Sequence, residues 1–265
     1  MLDVLRDGCR LSYCLEGDPR APALLLSNSL GTTHELWAPQ VARLSSAFRV
    51  IRYDTRGHGR SDAPKGAYTL EMLGLDALAI LDAAGTPRAH VCGLSLGGLT
   101  AMWLGVHAPG RIESLILAST AARIGSALLW QERIELVKSS GLRPLANATM
   151  DRWFTGGFRA AHPDTVRRYR QMLESCPAEG YVSCCAVLRD ADMRGEIGGI
   201  GVPALVIAGT HDPVTPPADA EAISTRIRDA RVTELDAAHL ANVEQSEAFT
   251  DRVLGFINEK GRMHG

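Results

Sequence analysis

Gly93-Leu94-Ser95-Leu96-Gly97 decides how this chain folds, because a short apolar run, Ala89-His90-Val91-Cys92, precedes it and an apolar helical stretch follows to about Ala108. Between a strand and a helix, such a turn holds its serine in strained backbone geometry with the hydroxyl pointing away from the sheet. Glycines must flank the serine, because a side chain at either position would strike the neighbouring strand or helix. The following helix also directs unpaired N–H groups and the positive end of its dipole at the space beside the hydroxyl. In a chain with 26 glycines, G-x-S-x-G arises often by chance and can be a plain loop. Strand before and helix after predict instead that Ser95 is a nucleophile.

On either side the same alternation continues. Arg10–Glu16, Ala23–Ser27 and Phe48–Tyr53 are short β-rich runs, set off by turns such as Gly17-Asp18-Pro19 and Pro64-Lys65-Gly66. Ala23-Leu24-Leu25-Leu26 and Arg49-Val50-Ile51 read as strands covered on both faces. Thr69–Ala84 reads as a helix: Thr69 caps it, Leu70, Leu73, Leu78 and Leu81 share a side, and Gly85 stops it. Strands recur at Leu115–Ala118, Ala204–Ala208 and Val232–Leu235, with a final helix at Glu247–Glu259. This order predicts an α/β fold with a mostly parallel, doubly wound sheet. Between about Ala121 and Gly199 the strand signal disappears, and Leu128–Ser139, Leu145–Phe154, Pro163–Ser175 and Tyr181–Arg189 have helical spacing. The expected organisation is a core of residues 1–120 and 200–265, with 121–199 as a helical cap over the carboxyl edge of the sheet.

At 265 residues the chain suits one large α/β domain with a modest insertion. A net charge of −2 without any Lys/Arg run argues against nucleic acid or an anionic membrane surface as partner. Met1–Asp7 lacks the layout of a signal peptide, and no apolar stretch approaches membrane-spanning length. The six cysteines have no C-x-x-C spacing and no paired histidines for zinc, so reduced thiols, a cytoplasmic location and no metal are expected. Cys92 reads as a small core filler.

A serine hydroxyl needs a base, and the base needs an orienting carboxylate. On this kind of sheet they follow the serine in the order acid, then histidine, each just after a late strand. Leu205–Ala208, Gly209-Thr210-His211 and Asp212 supply a strand, a turn and an acid; Thr233-Glu234-Leu235 leads through Asp236-Ala237-Ala238 to His239. Among the rivals, Asp236 reads as a turn cap and Asp219 as a solvent-facing helix residue. The end of the sixth strand, Ala118-Ser119-Thr120-Ala121-Ala122, holds no carboxylate. His211 reads as a polar loop residue, and His58, in the Gly-rich loop Asp54–Asp62, as scaffold tying neighbouring loops together. His34, His90, His107, His162 and His264 have no motif context and default to structural roles. One oxyanion donor is expected from the Leu96 N–H at the head of the helix, and a second from the loop Asn28-Ser29-Leu30-Gly31. Asn28 reads as a brace for that loop or a simple turn former.

Taken together these residues resemble the α/β-hydrolase superfamily, and within it the bacterial 3-oxoadipate enol-lactonases. The resemblance is carried by Leu26–Thr32 with Trp37, Arg52–Gly59, Cys92–Gly98, Ala122-Arg123-Ile124-Gly125 with Trp130 and Arg133-Ile134, Glu179-Gly180-Tyr181, and Leu235–His239. It implies an eight-stranded sheet with the helical lid after the sixth strand, and Leu30 as the second oxyanion donor. It also implies hydrolysis of an anionic enol-lactone in the catabolism of aromatic acids, with no cofactor. Such a substrate carries a free carboxylate, for which a planar guanidinium is the natural partner. Arg133 and Arg123 are the candidates, with Trp130 as an apolar wall on the same helix face as Arg133 and Ser29 also at the substrate. Rival readings are a broad carboxylesterase, a cofactor-free haloperoxidase or perhydrolase, a C–C bond hydrolase, and a non-catalytic receptor.

Overall fold

A computed structural model describes residues 1–262; Met263, His264 and Gly265, and with them the structural role expected of His264, lie outside the described residues. The chain runs β1 (Leu2–Arg6), β2 (Cys9–Glu16), β3 (Ala23–Ser27), α1 (Ala38–Leu44), β4 (Arg49–Tyr53), α2 (Leu70–Ala83), β5 (Ala89–Leu94), α3 (Leu96–His107) and β6 (Ile112–Ala118). Five helices follow before the sheet resumes: α4 (Ala127–Ser140), α5 (Arg143–Trp153), α6 (Gly156–Ala161), α7 (Pro163–Glu174) and α8 (Ala178–Asp190). The remainder is β7 (Ala204–Gly209), α9 (Pro217–Ser224), β8 (Ala230–Leu235), α10 (Ala241–Glu244) and α11 (Ser246–Arg262).

All eight strands form one sheet in the order β1-β2-β4-β3-β5-β6-β7-β8. β1, β2 and β4 pair antiparallel, and every other neighbouring pair is parallel. The expected mostly parallel, eight-stranded sheet is therefore present. β3 is buried at every position, as a strand covered on both faces must be. β1 adds a strand that the apolar pattern alone does not announce. Its signal is Asp7-Gly8, both at positive φ (48° and 73°), which closes the β1–β2 hairpin.

Thr69 caps α2 as expected, its hydroxyl accepting the Met72 N–H at 3.1 Å. α2 then approaches α3 so closely that a Cβ on Gly74 would stand 1.9 Å from the Trp103 ring. The inserted helices are more numerous than their periodicity suggests, because the six-residue α6 begins with two glycines and carries no apolar repeat. α8 meets the Asp54–Asp62 loop backbone to backbone, a Cβ on Gly180 falling 2.1 Å from the Gly57 carbonyl oxygen. All six cysteines are free thiols, and five of them are buried. No helix among the described residues is long and apolar enough to cross a membrane.

Candidate active site

Ser95 closes β5 and opens α3 with φ 59° and ψ −113°, a left-handed conformation that costs a non-glycine residue about 1–3 kcal/mol. The strain is held from several sides. The Ser95 N–H donates to the Ala118 carbonyl at 3.0 Å, and its carbonyl accepts from the Thr120 hydroxyl at 2.8 Å. The flanking glycines are obligatory: a Cβ on Gly93 would stand 2.0 Å from the Gly97 oxygen, and one on Gly97 2.1 Å from the Ser27 oxygen. Leu96 begins α3, so no carbonyl within the helix accepts its N–H.

Asp212 and His239 meet after β7 and β8. His239 Nδ1 lies 2.8 Å from Asp212 Oδ2, with both side chains almost fully buried. That contact fixes the imidazole so that Nε2 is the free nitrogen. Asp212 also accepts the N–H of Val214 at 2.8 Å, the N–H of Thr215 at 3.1 Å and the Thr215 hydroxyl at 2.7 Å. Burial pushes this carboxyl up, but the His239 charge and these hydrogen bonds outweigh it and hold Asp212 below the ordinary carboxylate range.

The Asn28–Gly31 loop is braced by side chains the sequence singles out. Asn28 Nδ2 donates to the Tyr53 carbonyl at 2.6 Å, and Trp37 Nε1 donates to Asn28 Oδ1 at 2.9 Å. His58 is scaffold, as expected: its Nε2 accepts the Gly31 N–H at 2.9 Å. Burial lowers the His58 pKa, which keeps that nitrogen an acceptor. The Ser29 carbonyl accepts from Thr32, and the Leu30 N–H has no partner among the described residues.

Ser29, Leu30, Ser95 and His239 line one cavity of about 230 Å³ with Trp130, Arg133, Arg152 and Tyr181. That volume suits a ligand smaller than the drug-sized occupants of ~300–1,000 Å³ pockets. Arg133 Nη1 donates to the Tyr181 hydroxyl at 3.3 Å, and its guanidinium stands over the Trp130 ring at 5.5 Å. Trp130 and Arg133 thus share a helix face, as their spacing predicts.

Several expectations need correction. Arg123 does not line the cavity; its guanidinium points to Asp192, 3.1 Å away, which Arg194 also holds. The physical reason is local. Arg123 sits in an irregular stretch before α4, and its neighbours Ile124 and Gly125 line the cavity instead. Asp219 is half-buried, and desolvation and the Asp212 charge raise its pKa. Asp236 is exposed and pairs with His211 at 2.8 Å rather than capping a turn.

Two residues have no place in the motif reading. Arg152 lines the cavity from the last turn of α5, where Nη2 donates to Thr149 Oγ1 at 3.2 Å. Glu244 accepts the Ala238 N–H at 3.0 Å, the Thr155 N–H at 3.2 Å and the Thr155 hydroxyl. It therefore fastens the α5–α6 junction to the segment that carries His239. The His239 N–H itself donates to the Arg152 carbonyl at 3.3 Å, and Leu240 N–H to the Trp153 carbonyl at 3.0 Å. For Arg152 a signal exists, since it lies three residues after the buried Thr149 on one helix face. An arginine at such a position ordinarily reads as solvent-facing.

Comparison with known proteins gives a consistent result. The family model described as alpha/beta hydrolase fold matches residues 22–246. A protein of Acinetobacter baylyi named 3-oxoadipate enol-lactonase 2 is 45% identical over 243 residues, 92% of this chain and 91% of the relative. The same organism's 3-oxoadipate enol-lactonase 1 is 43% identical over 252 residues, 95% and 94% of the two chains. The crystal structure of the enol-lactonase from Burkholderia xenovorans LB400 superposes with a TM-score of 0.96 at 45% identity, covering 97% of this chain and all of that one.

Proposed function

The chain belongs to the alpha/beta hydrolase family, and we propose on that premise that it hydrolyses 3-oxoadipate enol-lactone to 3-oxoadipate, in the breakdown of aromatic acids in the cytoplasm. The observation that carries this reading is one small cavity in which Ser95, His239 and Arg133 converge. The enol-lactonases that resemble the chain over more than nine-tenths of its length support the choice of substrate.

Ser95 Oγ attacks the lactone carbonyl while His239 Nε2 takes its proton, and Asp212 stabilises the imidazolium that forms. The Leu30 and Leu96 N–H groups receive the oxyanion, whose stabilisation by a single such donor is worth about 10²–10³ in rate. Collapse expels the ring oxygen as an enolate, which His239 protonates before the enol becomes a ketone. Water, deprotonated by His239, then attacks the acyl-serine, and Ser95 leaves with its proton restored. Each proton in this sequence has a holder among the side chains, so the chemistry calls for neither metal nor organic cofactor. Arg133, over the Trp130 ring, binds the substrate carboxylate, with Ser29 also lining the cavity. Residues 121–199 act as a cap that closes the site over the core formed by residues 1–120 and 200–265.

The direct test follows lactone absorbance after enzymatic generation of the substrate. Wild type should consume it, and Ser95→Ala and His239→Ala should not. Arg133→Ala should raise KM for the anionic lactone far more than KM for a neutral nitrophenyl ester. Equal effects on the two substrates would remove Arg133 from carboxylate recognition.

A further inference from the structure

Arg152 differs from most arginines of the inserted segment in having no carboxylate at ion-pair distance among the described residues. Arg123, Arg159, Arg168 and Arg189 are each ion-paired, and Asp151, next to Arg152 in the chain, is committed to Arg159 at 2.6 Å. Among the described residues Arg133 and Arg152 contact neutral groups: Tyr181 and Trp130 for one, Thr149 for the other. Among the described residues no acidic side chain lines the cavity they share. Burial and then the Arg133 charge hold Arg152 below the ordinary arginine range, outweighing the opposing effects of Tyr181 and Asp151, so the two guanidiniums feel each other. Two like charges on one cavity, neither in contact with a carboxylate among the described residues, disfavour the empty protein, and anions relieve the repulsion.

The lactone carries one carboxylate. Hydrolysis adds water across the acyl C–O bond, and the acid released has an ordinary pKa of about 4. It therefore loses its proton at neutral pH, and the opened product carries two negative charges. The second forms at the carbon that Ser95 attacked, beside His239. The Arg152 main chain adjoins the His239 segment, its carbonyl accepting the His239 N–H, and its guanidinium lines the same cavity beside Thr149. Arg133 stands on α4 against Trp130 and Tyr181.

We infer that Arg133 and Arg152 make the cavity a dicarboxylate site, in which Arg152 takes the carboxylate newly formed at Ser95 while Arg133 keeps the one the substrate brought. The assignment of the two ends rests on the lactone reading above. Its consequence is that six-carbon dicarboxylates bind competitively and more tightly than chains of the same length with one charge.

The test uses a neutral ester, nitrophenyl acetate, as the reporter reaction, with adipate and monomethyl adipate as competitors. They share a carbon chain and differ by one charge. At low ionic strength adipate should have a Ki about tenfold or more below that of its monoester, the scale of a charge-assisted hydrogen bond. Arg152→Gln should bring the two within about twofold, and Arg152→Lys, which keeps the charge without the planar fork, should fall between Gln and wild type. In wild type alone, raising NaCl from about 20 mM to about 500 mM should shrink the ratio, a result independent of any variant's folding. Equal Ki values in wild type, or a tenfold ratio surviving in Arg152→Gln, would overturn the inference. Failure to consume lactone alongside an intact adipate preference would overturn the lactone reading and leave the dicarboxylate site standing.

Discussion

Gly97→Ala tests whether the nucleophile turn and the oxyanion loop are one mechanical unit. A Cβ on Gly97 would stand 2.1 Å from the Ser27 carbonyl oxygen, 2.4 Å from its carbon and 2.9 Å from the Asn28 oxygen. All three atoms are backbone at the end of β3, so no side-chain rotation can relieve the overlap. Restoring ordinary contact requires the turn and the loop to separate by about 1 Å, in an interior packed without slack. The loop that must give way carries the Leu30 N–H. A displacement of ~1 Å at a reacting centre costs about 10²-fold in rate, comparable to losing one oxyanion donor. Overpacking of this kind destabilises by about 1–3 kcal/mol, and in a chain of this size each kcal/mol lowers Tm by about 2–4 °C. The variant should therefore remain folded at 25 °C with kcat about a hundredfold lower and KM much less affected. Gly110→Ala, whose added Cβ meets nothing within 4 Å, is the control for an alanine without a clash. Steady-state kinetics on the lactone beside thermal denaturation of both variants measures each quantity. A folded Gly97→Ala enzyme with kcat within about threefold of wild type would refute the coupling between turn and loop.

Asp212→Asn should lower kcat by about 10⁴, because the amide favours the wrong histidine tautomer. It should also flatten the acid limb of stability. Asp212 in the folded protein lies below the ordinary value, so its contribution is fully present above about pH 4 and is lost as pH falls through the folded pKa; urea midpoints between about pH 5 and pH 3 should fall less steeply in the variant. Thiol chemistry should leave activity untouched: burial pushes Cys185 up to about 12 and Cys14 up to about 11, so iodoacetamide at neutral pH should label the native protein slowly and the unfolded one at all six cysteines without a fall in native turnover. Glu244→Gln replaces one acceptor oxygen with a donor facing the Ala238 and Thr155 N–H groups, and should lower kcat about tenfold while KM for a neutral ester moves little; a matched fall in kcat and rise in KM would speak for general loosening instead.

How much of this was legible depends on how local each signal is. Ser95, Asp212 and His239 are readable because each sits on a turn directly after an apolar strand, where chain order and turn chemistry leave few rivals. β3 and β5 are equally plain, being buried on both faces. The β1–β2 hairpin is written in Asp7-Gly8 rather than in hydrophobic alternation, since β1 is mostly exposed. The substrate cavity is harder to read. It forms where residues of α4, α5 and α8 meet the ends of the strands, and no single periodicity reports which arginine turns inward. Arg123 lies in a segment that suggests the lactonase resemblance yet points at Asp192, while Arg152 looks like a surface residue and faces the cavity. Glu244 is obscure for the same reason, since one of its partners, Thr155, lies far from it in sequence, at the α5–α6 junction.

Those contacts also limit how the site can open. Four polar groups at the end of α5 and the following junction are tied to the His239 segment: the Arg152 and Trp153 carbonyls accept from His239 and Leu240, and the Thr155 N–H and hydroxyl reach Glu244. A cap that swung away at α5 would break the bond to the backbone of the base itself. α4 carries no such tie. It packs on α8, with Leu128 68% and Leu129 45% exposed, and Leu129 reaches the cavity wall. Displacing α4 would break none of these bonds, whereas displacing α5 would break those to the His239 segment. The cation at the end of α5 and the base therefore depend on one short set of hydrogen bonds. A side-chain change at Arg152 leaves its carbonyl bond to His239 in place, so Glu244→Gln probes the fastening of the base separately from the cation.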